Sequence, residues 1–436
     1  MLDIRPLAEL TDAREFLAYL EHVGAELPFD ADVAHGPSSP LAGPVSFSGL
    51  TAGNRFCVHP LEGWDADVEG RPTSSTRERW RRMGQGGAKL IWAESAAVRP
   101  DGRSTPSQLL VADETVSDLA ALRQLAVEEH ERVHGDVSDL VVGLQLTHSG
   151  RMSHPAPHGV PAPVAVRRHP HMDATVGPPP DQPLLTDDEL YALADDFVRA
   201  AVNAALAGFD FVDLKACHGY LHHELLGAYE RPGEFGGPLE NRTRFLRTVI
   251  DGVRAIRPDL PLALRLSAFD TVTYVPDAAG FGRPITDGPD RFWFGTDDSG
   301  HKIDLAEPIE LLRMLRDLDV GLVSVTGSSP YSARHFQRPA RRLTGNDYEP
   351  PEDPLVGVAR HVHVTGALKA AVPELVYVGS AYSYLQQWLP NVAQAAVRKG
   401  LTDVVGIGRM HLAYNMFPTD VIAGRRLRID LIQPAF

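Results

Sequence analysis

The chain has 436 residues, a formal net charge of −15 and two cysteines, Cys57 and Cys217. The acidic balance argues against a nucleic-acid or anionic-membrane partner, and two cysteines are too few for a disulfide framework or a cysteine-rich metal site. No apolar run reaches membrane-spanning length, and MLDIRPLAEL lacks a signal peptide's basic start and apolar core, so a soluble cytoplasmic protein without a membrane partner is expected.

Residues 1–40 read as an added segment. The stretch 11–20 opens with Thr and Asp and spaces Phe16, Leu17 and Leu20 as a helix does, while GPSSPLAGP after it reads as a linker. The role expected of this segment is a cover, or a contact between copies in a homo-oligomer. From 41 to 425, apolar β-runs at 56–58, 89–92, 140–146, 211–214, 262–266, 321–325, 375–378 and 404–407 alternate with amphipathic helical stretches. Eight such runs predict an α/β fold, a single (β/α)8 TIM barrel with long top-face loops, an N-terminal extension and a C-terminal tail at 426–436. The clearest helix runs over 186–207, with Thr186 as N-cap, Asp187, Asp188 and Glu189 in the first turn, apolar Leu190, Leu193, Phe197 and Val198, and Gly208 at its close. No G-x-G-x-x-G follows a strand, which argues against a Rossmann domain.

Three connections are long: 150–185, 268–304 and 327–355. Each follows a strand end, so all three are expected to crown the top face as substrate-shaping loops, and their length suggests a bulky or multi-contact ligand. His154, His158, His169 and His171 lack tight spacing with carboxylates and read as solvated loop residues, not metal ligands. His361 and His363 read as structural, and His222 and His223 as helix surface plus packing. Arg334, Arg338, Arg341 and Arg342 read as a solvated basic loop, with an acidic ligand group or carrier as the alternative.

The chemistry concentrates at 210–245, DFVDLKACHGYLHHELLGAYERPGEFGGPLENRTRF. A short β-run delivers Lys215, His218 and Tyr220 just past its carboxyl end, the face where this barrel places its reactions. Lys215 and His218 are close enough in sequence to converge on one ligand atom, and Tyr220 offers a phenolic proton.

Lys-Ala-Cys-His-Gly-Tyr-Leu, followed by Phe-Gly-Gly-Pro-Leu-Glu-Asn-Arg at 235–242, resembles the Old Yellow Enzyme family of FMN-dependent oxidoreductases. Further segments resemble that family's in order: Asn54-Arg55-Phe56 through Pro60-Leu61-Glu62, Gly86 to Ile91 with Glu94-Ser95, Gln145 to Arg151, Arg265-Leu266-Ser267, Val378-Gly379-Ser380 and Gly406 to Arg409. The resemblance implies FMN held by Pro60, Leu61, Glu62, Ser95, Gln145, Arg265, Gly379, Ser380, Gly408 and Arg409. It implies a small-molecule substrate bordered by Trp64 and held by Lys215 and His218, with Tyr220, His218 and Lys215 as catalytic residues. The residue types suit these roles. Gly379 and Gly408 let backbone N–H groups approach a phosphate, and Arg409 adds a bidentate cation. Gln145 donates and accepts at a pyrimidine edge, and Arg265 suits the negative charge of a reduced ring.

Three departures from the family pattern stand out. Glu62 replaces the usual Thr or Cys near the flavin, where a bare carboxylate opposes reduced-flavin charge. At ~4 Å and an effective dielectric of ~20 that is at most about 4 kcal/mol, or ~90 mV for a two-electron couple. Lys215 replaces the first His, and we expect it to face Glu62 or to share a substrate polar group with it, the alternative being that Glu62 points into a hydrogen-bond network and never contacts flavin. No cysteine follows Arg409, so no iron–sulfur cluster is expected, and electrons come from NAD(P)H or from a separate reductase. The implied function is NAD(P)H-driven reduction of an electron-poor C=C. The alternatives are a flavin-dependent dehydrogenase, desaturase or amine-oxidising enzyme, and a non-catalytic barrel serving as a binding protein.

Overall fold

In the computed structural model each barrel strand pairs in parallel with the next in the chain, and the last pairs with the first. The residues described are 4–156, 160–174, 179, 181–285, 293–341 and 348–432. The strands are β1 (Phe56–Val58), β2 (Leu90–Ala97), β3 (Val141–Thr147), β4 (Phe211–Ala216), β5 (Leu262–Ser267), β6 (Val320–Thr326), β7 (Val376–Gly379) and β8 (Val404–Ile407). They coincide with the eight runs expected from the sequence, and they close into the expected (β/α)8 barrel. No described helix is long and apolar enough to cross a membrane.

Alternation along the strands sorts side chains between two cores. Val212, Leu214 and Ala216 of β4 join the large core between strands and helices. Phe211 instead packs in the barrel's interior with Cys57, Leu90, Trp92, Ala263, Leu322, Val378 and Val404. Phe211 lies edge-on to Trp92, with centroids 5.3 Å apart. Gly143 on β3 leaves room for that ring, since a Cβ there would lie 2.2 Å from it. A hairpin that the sequence reading does not contain, Val45–Phe47 against Leu50–Ala52, adds Val45, Phe47 and Ala52 to this interior cluster. Apolar residues therefore fill the lower barrel, and polar groups occupy the layer above.

The segment before the barrel is packed down. Its helix, Ala13–Val23, is capped by the Asp12 side chain, which accepts from Glu15 N–H at 2.9 Å. Phe16 stacks on Trp388 at 4.9 Å, and Tyr19 donates to Asp353 at 2.6 Å. The stretch expected as a linker instead forms two short 3-10 turns, Gly36–Ser38 and Pro40–Ala42, with Leu41 fully buried. An apolar residue between the prolines gives this stretch a reason to dock that its Pro/Gly/Ser composition hides.

The helix expected over 186–207 is Asp187–Leu206, with a reciprocal Thr186–Glu189 capping box. Two histidine readings need correction. His222 and His223 are buried, not surface residues: His222 sits 4.8 Å from the rings of both Phe197 and Phe245. His169 is buried as well, and caps the short helix Pro170–Asp173. His158 and Arg342 lie outside the described residues.

Candidate active site

At the carboxyl ends of the strands lies a cleft of about 550 Å3, within the range of ligand sites. Pro60, Leu61, Glu62 and Trp64 reach it from the β1 loop, Lys215, His218 and Tyr220 from β4, Arg265 from β5, and Arg409 from beyond β8. Nine of the residues expected at the site thus share one cavity. Ser95, Gln145, Gly379, Ser380 and Gly408 do not line it. Of the three long connections, the one after β6 contributes Tyr331, Arg334, Gln337 and Arg338. Arg334 and Arg338 therefore face the site and do not form a solvated loop, whereas Arg341 is exposed.

Two of the three departures from the family pattern, Glu62 and Lys215, meet at the cleft. Lys215 donates to Glu62 Oε1 at 2.7 Å and to Ser95 Oγ at 3.3 Å. Glu62 Oε2 accepts from Ser104 at 2.6 Å, and from Trp64 Nε1 and the Tyr220 hydroxyl at 3.1 Å each. The Lys215 ammonium also lies 3.9 Å above the Tyr220 ring. Burial pushes the Glu62 carboxyl up, but Lys215, Ser104 and Trp64 outweigh it, and the net shift is below the ordinary value. Burial and then Glu62 drive the Tyr220 phenol well above its ordinary value, so it holds its proton. Trp64 is 61 % exposed at the rim, which makes it a wall of the cleft and not part of the core.

A bulge in β2 makes this geometry possible. The register slips between Ala93 and Ser95, so Ser95 turns toward Lys215 while Glu94 turns to the helix Ser74–Gln85. There Glu94 accepts from Arg79 at 2.8 Å, Gly63 N–H at 2.9 Å and Trp80 at 3.1 Å. The Gly63 bond pins the loop that carries Glu62. His218 adopts φ +65° and Gly219 φ +75°, a left-handed pair that turns the chain over the cleft. Burial holds the His218 imidazole well below its ordinary pKa, so it is neutral, and its Nε2 lies 3.2 Å from the Gln337 amide nitrogen.

One layer below, Asp213 organises the barrel interior. It accepts from Trp92 Nε1 at 2.9 Å, from Arg265 N–H at 2.6 Å and from the Gln145 amide. Burial pushes its carboxyl up to about 6, against the pull of those donors. Because a carboxylate only accepts, Gln145 must present its nitrogen to Asp213, which leaves its Oε1 buried and without a partner among the described residues. Arg265 donates to Pro60 O at 3.0 Å, and its Nε is likewise unpartnered.

At β7 and β8 the two glycine N–H groups expected to meet a phosphate are already engaged. Gly379 donates to Thr402 Oγ1 at 3.1 Å, and Gly408 to Ser383 Oγ at 3.2 Å. Arg409 donates to Pro339 O at 3.1 Å; burial and then Arg338 lower its pKa to about 10. Two cations this close suit an anion between them.

Comparison with known proteins decides the family. The model of the NADH:flavin oxidoreductase / NADH oxidase family matches residues 40–286. The chain belongs to this family. An NADPH dehydrogenase of Bacillus subtilis (strain 168) is 32% identical over 233 residues, 52% of this chain and 63% of that protein. An NADH:flavin oxidoreductase of Gibberella zeae is 29% identical over 252 residues, 53% of this chain and 57% of that protein. The match thus spans under two thirds of either relative. The old yellow enzyme homologue from Zymomonas mobilis superposes with a TM-score of 0.62 at 23% identity, over 91% of this chain and 96% of that one. Histamine dehydrogenase from Rhizobium sp. 4-9 gives 0.63 at 21% identity, over 89% of this chain and 48% of that one.

FMN is the cofactor of this family of NAD(P)H-linked oxidoreductases, and the residues present fit it. Gln145 Oε1 and Arg265 Nε are buried polar atoms without partners among the described residues, as a polar heterocycle's edge requires. Sequence reasoning missed several contributors. Asp213 was legible: Phe211, Asp213 and Lys215 alternate onto one face of β4, so a carboxylate there faces the interior. His59, one residue before the quoted Pro60, is buried with Nε2 3.3 Å from both Gly379 O and Ser380 Oγ. Ser104, Tyr331 and Gln337 come from loops whose course no local pattern indicates.

Proposed function

We propose that this chain is an FMN-dependent oxidoreductase that uses NAD(P)H to reduce an electron-poor C=C of a small molecule. The observation carrying this reading is the cleft itself, where Lys215, His218, Tyr220 and Arg265 converge beside a polar layer with unpartnered acceptor and donor atoms. When bound, FMN supplies the two-electron carrier between NAD(P)H and substrate. Gln145 and Arg265 would hold its polar edge, Pro60, Leu61, Glu62 and Ser95 would border it, and Arg409 beside Arg338 would hold its phosphate, the Gly379 and Gly408 N–H groups being engaged by Thr402 and Ser383. Lys215 and His218 orient the substrate's carbonyl or equivalent, and Tyr220, which holds its proton across neutral pH, delivers it to the α-carbon.

A second reading reverses the flow, making a dehydrogenase, desaturase or amine-oxidising enzyme. The Glu62 charge opposes that direction less than the isolated residue would, because Lys215 neutralises it.

Anaerobic stopped-flow mixing of the purified protein with NADH, then NADPH, tests this at the oxidised-flavin band near ~450 nm. Bleaching followed by reoxidation with an activated alkene is the expected result. A yellow protein bleached by neither nucleotide points to the oxidative direction or to a separate reductase. A protein that takes up no FMN overturns the reading.

A further inference from the structure

The polar pair facing the cleft differs in kind from two donors aimed at one carbonyl. Lys215 carries three N–H bonds, of which one goes to Glu62 Oε1 and one to Ser95. Among the described residues, Glu62 Oε2 takes Trp64, Ser104 and Tyr220, whereas Oε1 takes Lys215 alone. One ammonium N–H, with only the Tyr220 ring face beside it, and one carboxylate lone pair therefore remain without a hydrogen-bond partner among the described residues, on atoms 2.7 Å apart in residues that both line the cleft. A ligand satisfying both must present an acceptor and a donor side by side.

We propose that the site selects substrates carrying a cis-amide edge, a lactam, imide or primary amide conjugated to the C=C, with the carbonyl on Lys215 and the N–H on Glu62. This rests on the oxidoreductase reading above and narrows its substrate class. A bare ketone uses Lys215 and leaves the remaining Glu62 lone pair without a donor. A carboxylate or lactone sets an oxygen against Glu62 and is repelled. An open-chain secondary amide is planar and trans, so its N–H and C=O point to opposite edges and cannot meet neighbouring atoms.

Three ligands of one ring size and shape separate these cases: 5,6-dihydropyridin-2(1H)-one (N–H), 2-cyclohexenone (CH2) and 5,6-dihydropyran-2-one (ring oxygen). Each is titrated calorimetrically into the oxidised holoenzyme without reductant, so that binding is read without turnover. The expected order is lactam, then enone, then lactone, with the lactam about tenfold tighter than the enone, as a hydrogen bond to a charged group predicts. In Glu62→Leu, which has no acceptor to meet the N–H, the lactam's advantage over the enone disappears. Equal affinities, or an enone or lactone binding tighter than the lactam in the wild-type holoenzyme, overturn the proposal, and the wild-type series decides even if the variant fails to fold. Flavin content is measured first. A protein that takes up no FMN fells both readings, while a yellow protein with a flat or inverted order fells only this one.

Discussion

Lys215 Nζ lies 2.7 Å from Glu62 Oε1, and side-chain exposures of 3% and 10% make this a buried ion pair at the floor of the cleft. Removing one partner leaves a buried charge uncompensated, which costs about 3–5 kcal/mol in comparable pairs. Lys215→Met is therefore expected to lower the urea unfolding midpoint strongly. Adding Glu62→Gln should restore most of the loss, giving a large coupling energy in the double-mutant cycle. Additive single-mutant effects would mean that the pair does not form in solution.

The same pair sets a pH dependence. The Glu62 carboxyl sits below its ordinary value of 4.5 in the folded chain, so its contribution to stability is fully present above that pH and is lost as pH falls through the folded value. Equilibrium unfolding measured downward from about pH 6, above the carboxylate range, should show a shallower acid loss in Glu62→Gln than in the wild type.

Asp213 decides which way Gln145 faces. In Asp213→Leu the oxygen that accepts from both Trp92 and Gln145 is gone, so nothing holds the Gln145 nitrogen away from the barrel mouth and its acceptor is no longer fixed there. FMN affinity of the apoprotein, followed by quenching of flavin fluorescence, should weaken about tenfold, the scale of one buried hydrogen bond. Circular dichroism is expected to stay that of the wild type.

Tyr220→Phe removes the proposed proton donor while keeping the ring beneath the Lys215 ammonium. FMN uptake and bleaching by NAD(P)H should be little changed, and reoxidation by an activated alkene should slow by about 10²–10⁴-fold. A variant that reoxidises at the wild-type rate would remove Tyr220 from the proton step.

Phe16 is fully buried and stacked on Trp388. Phe16→Ala should cost about 3–5 kcal/mol, as large aromatic truncations in cores do, and should lower Tm with no change in flavin affinity. An unchanged Tm would mean that the 13–23 helix does not dock on the barrel.

The sequence by itself determined the barrel. Eight apolar runs of strand length, each followed by helical periodicity, leave little choice of architecture, because each strand must bury two faces and each helix one stripe. Alternation along β4 carries even the inward direction of Asp213 and Lys215, since side chains two residues apart share a face. What only the tertiary structure decided are the contacts between strand ends far apart in the chain. Lys215 and Glu62 are separated by 153 positions, and the β2 bulge that turns Ser95 inward breaks the very parity on which a sequence reading relies. Thr402 and Ser383 take the glycine N–H groups near β7 and β8, and the loop after β6 brings Arg334, Gln337 and Arg338 over the cleft. Periodicity encodes which face a residue occupies, whereas partners in a closed barrel are set by register, bulges and loop paths, which are properties of the assembled sheet.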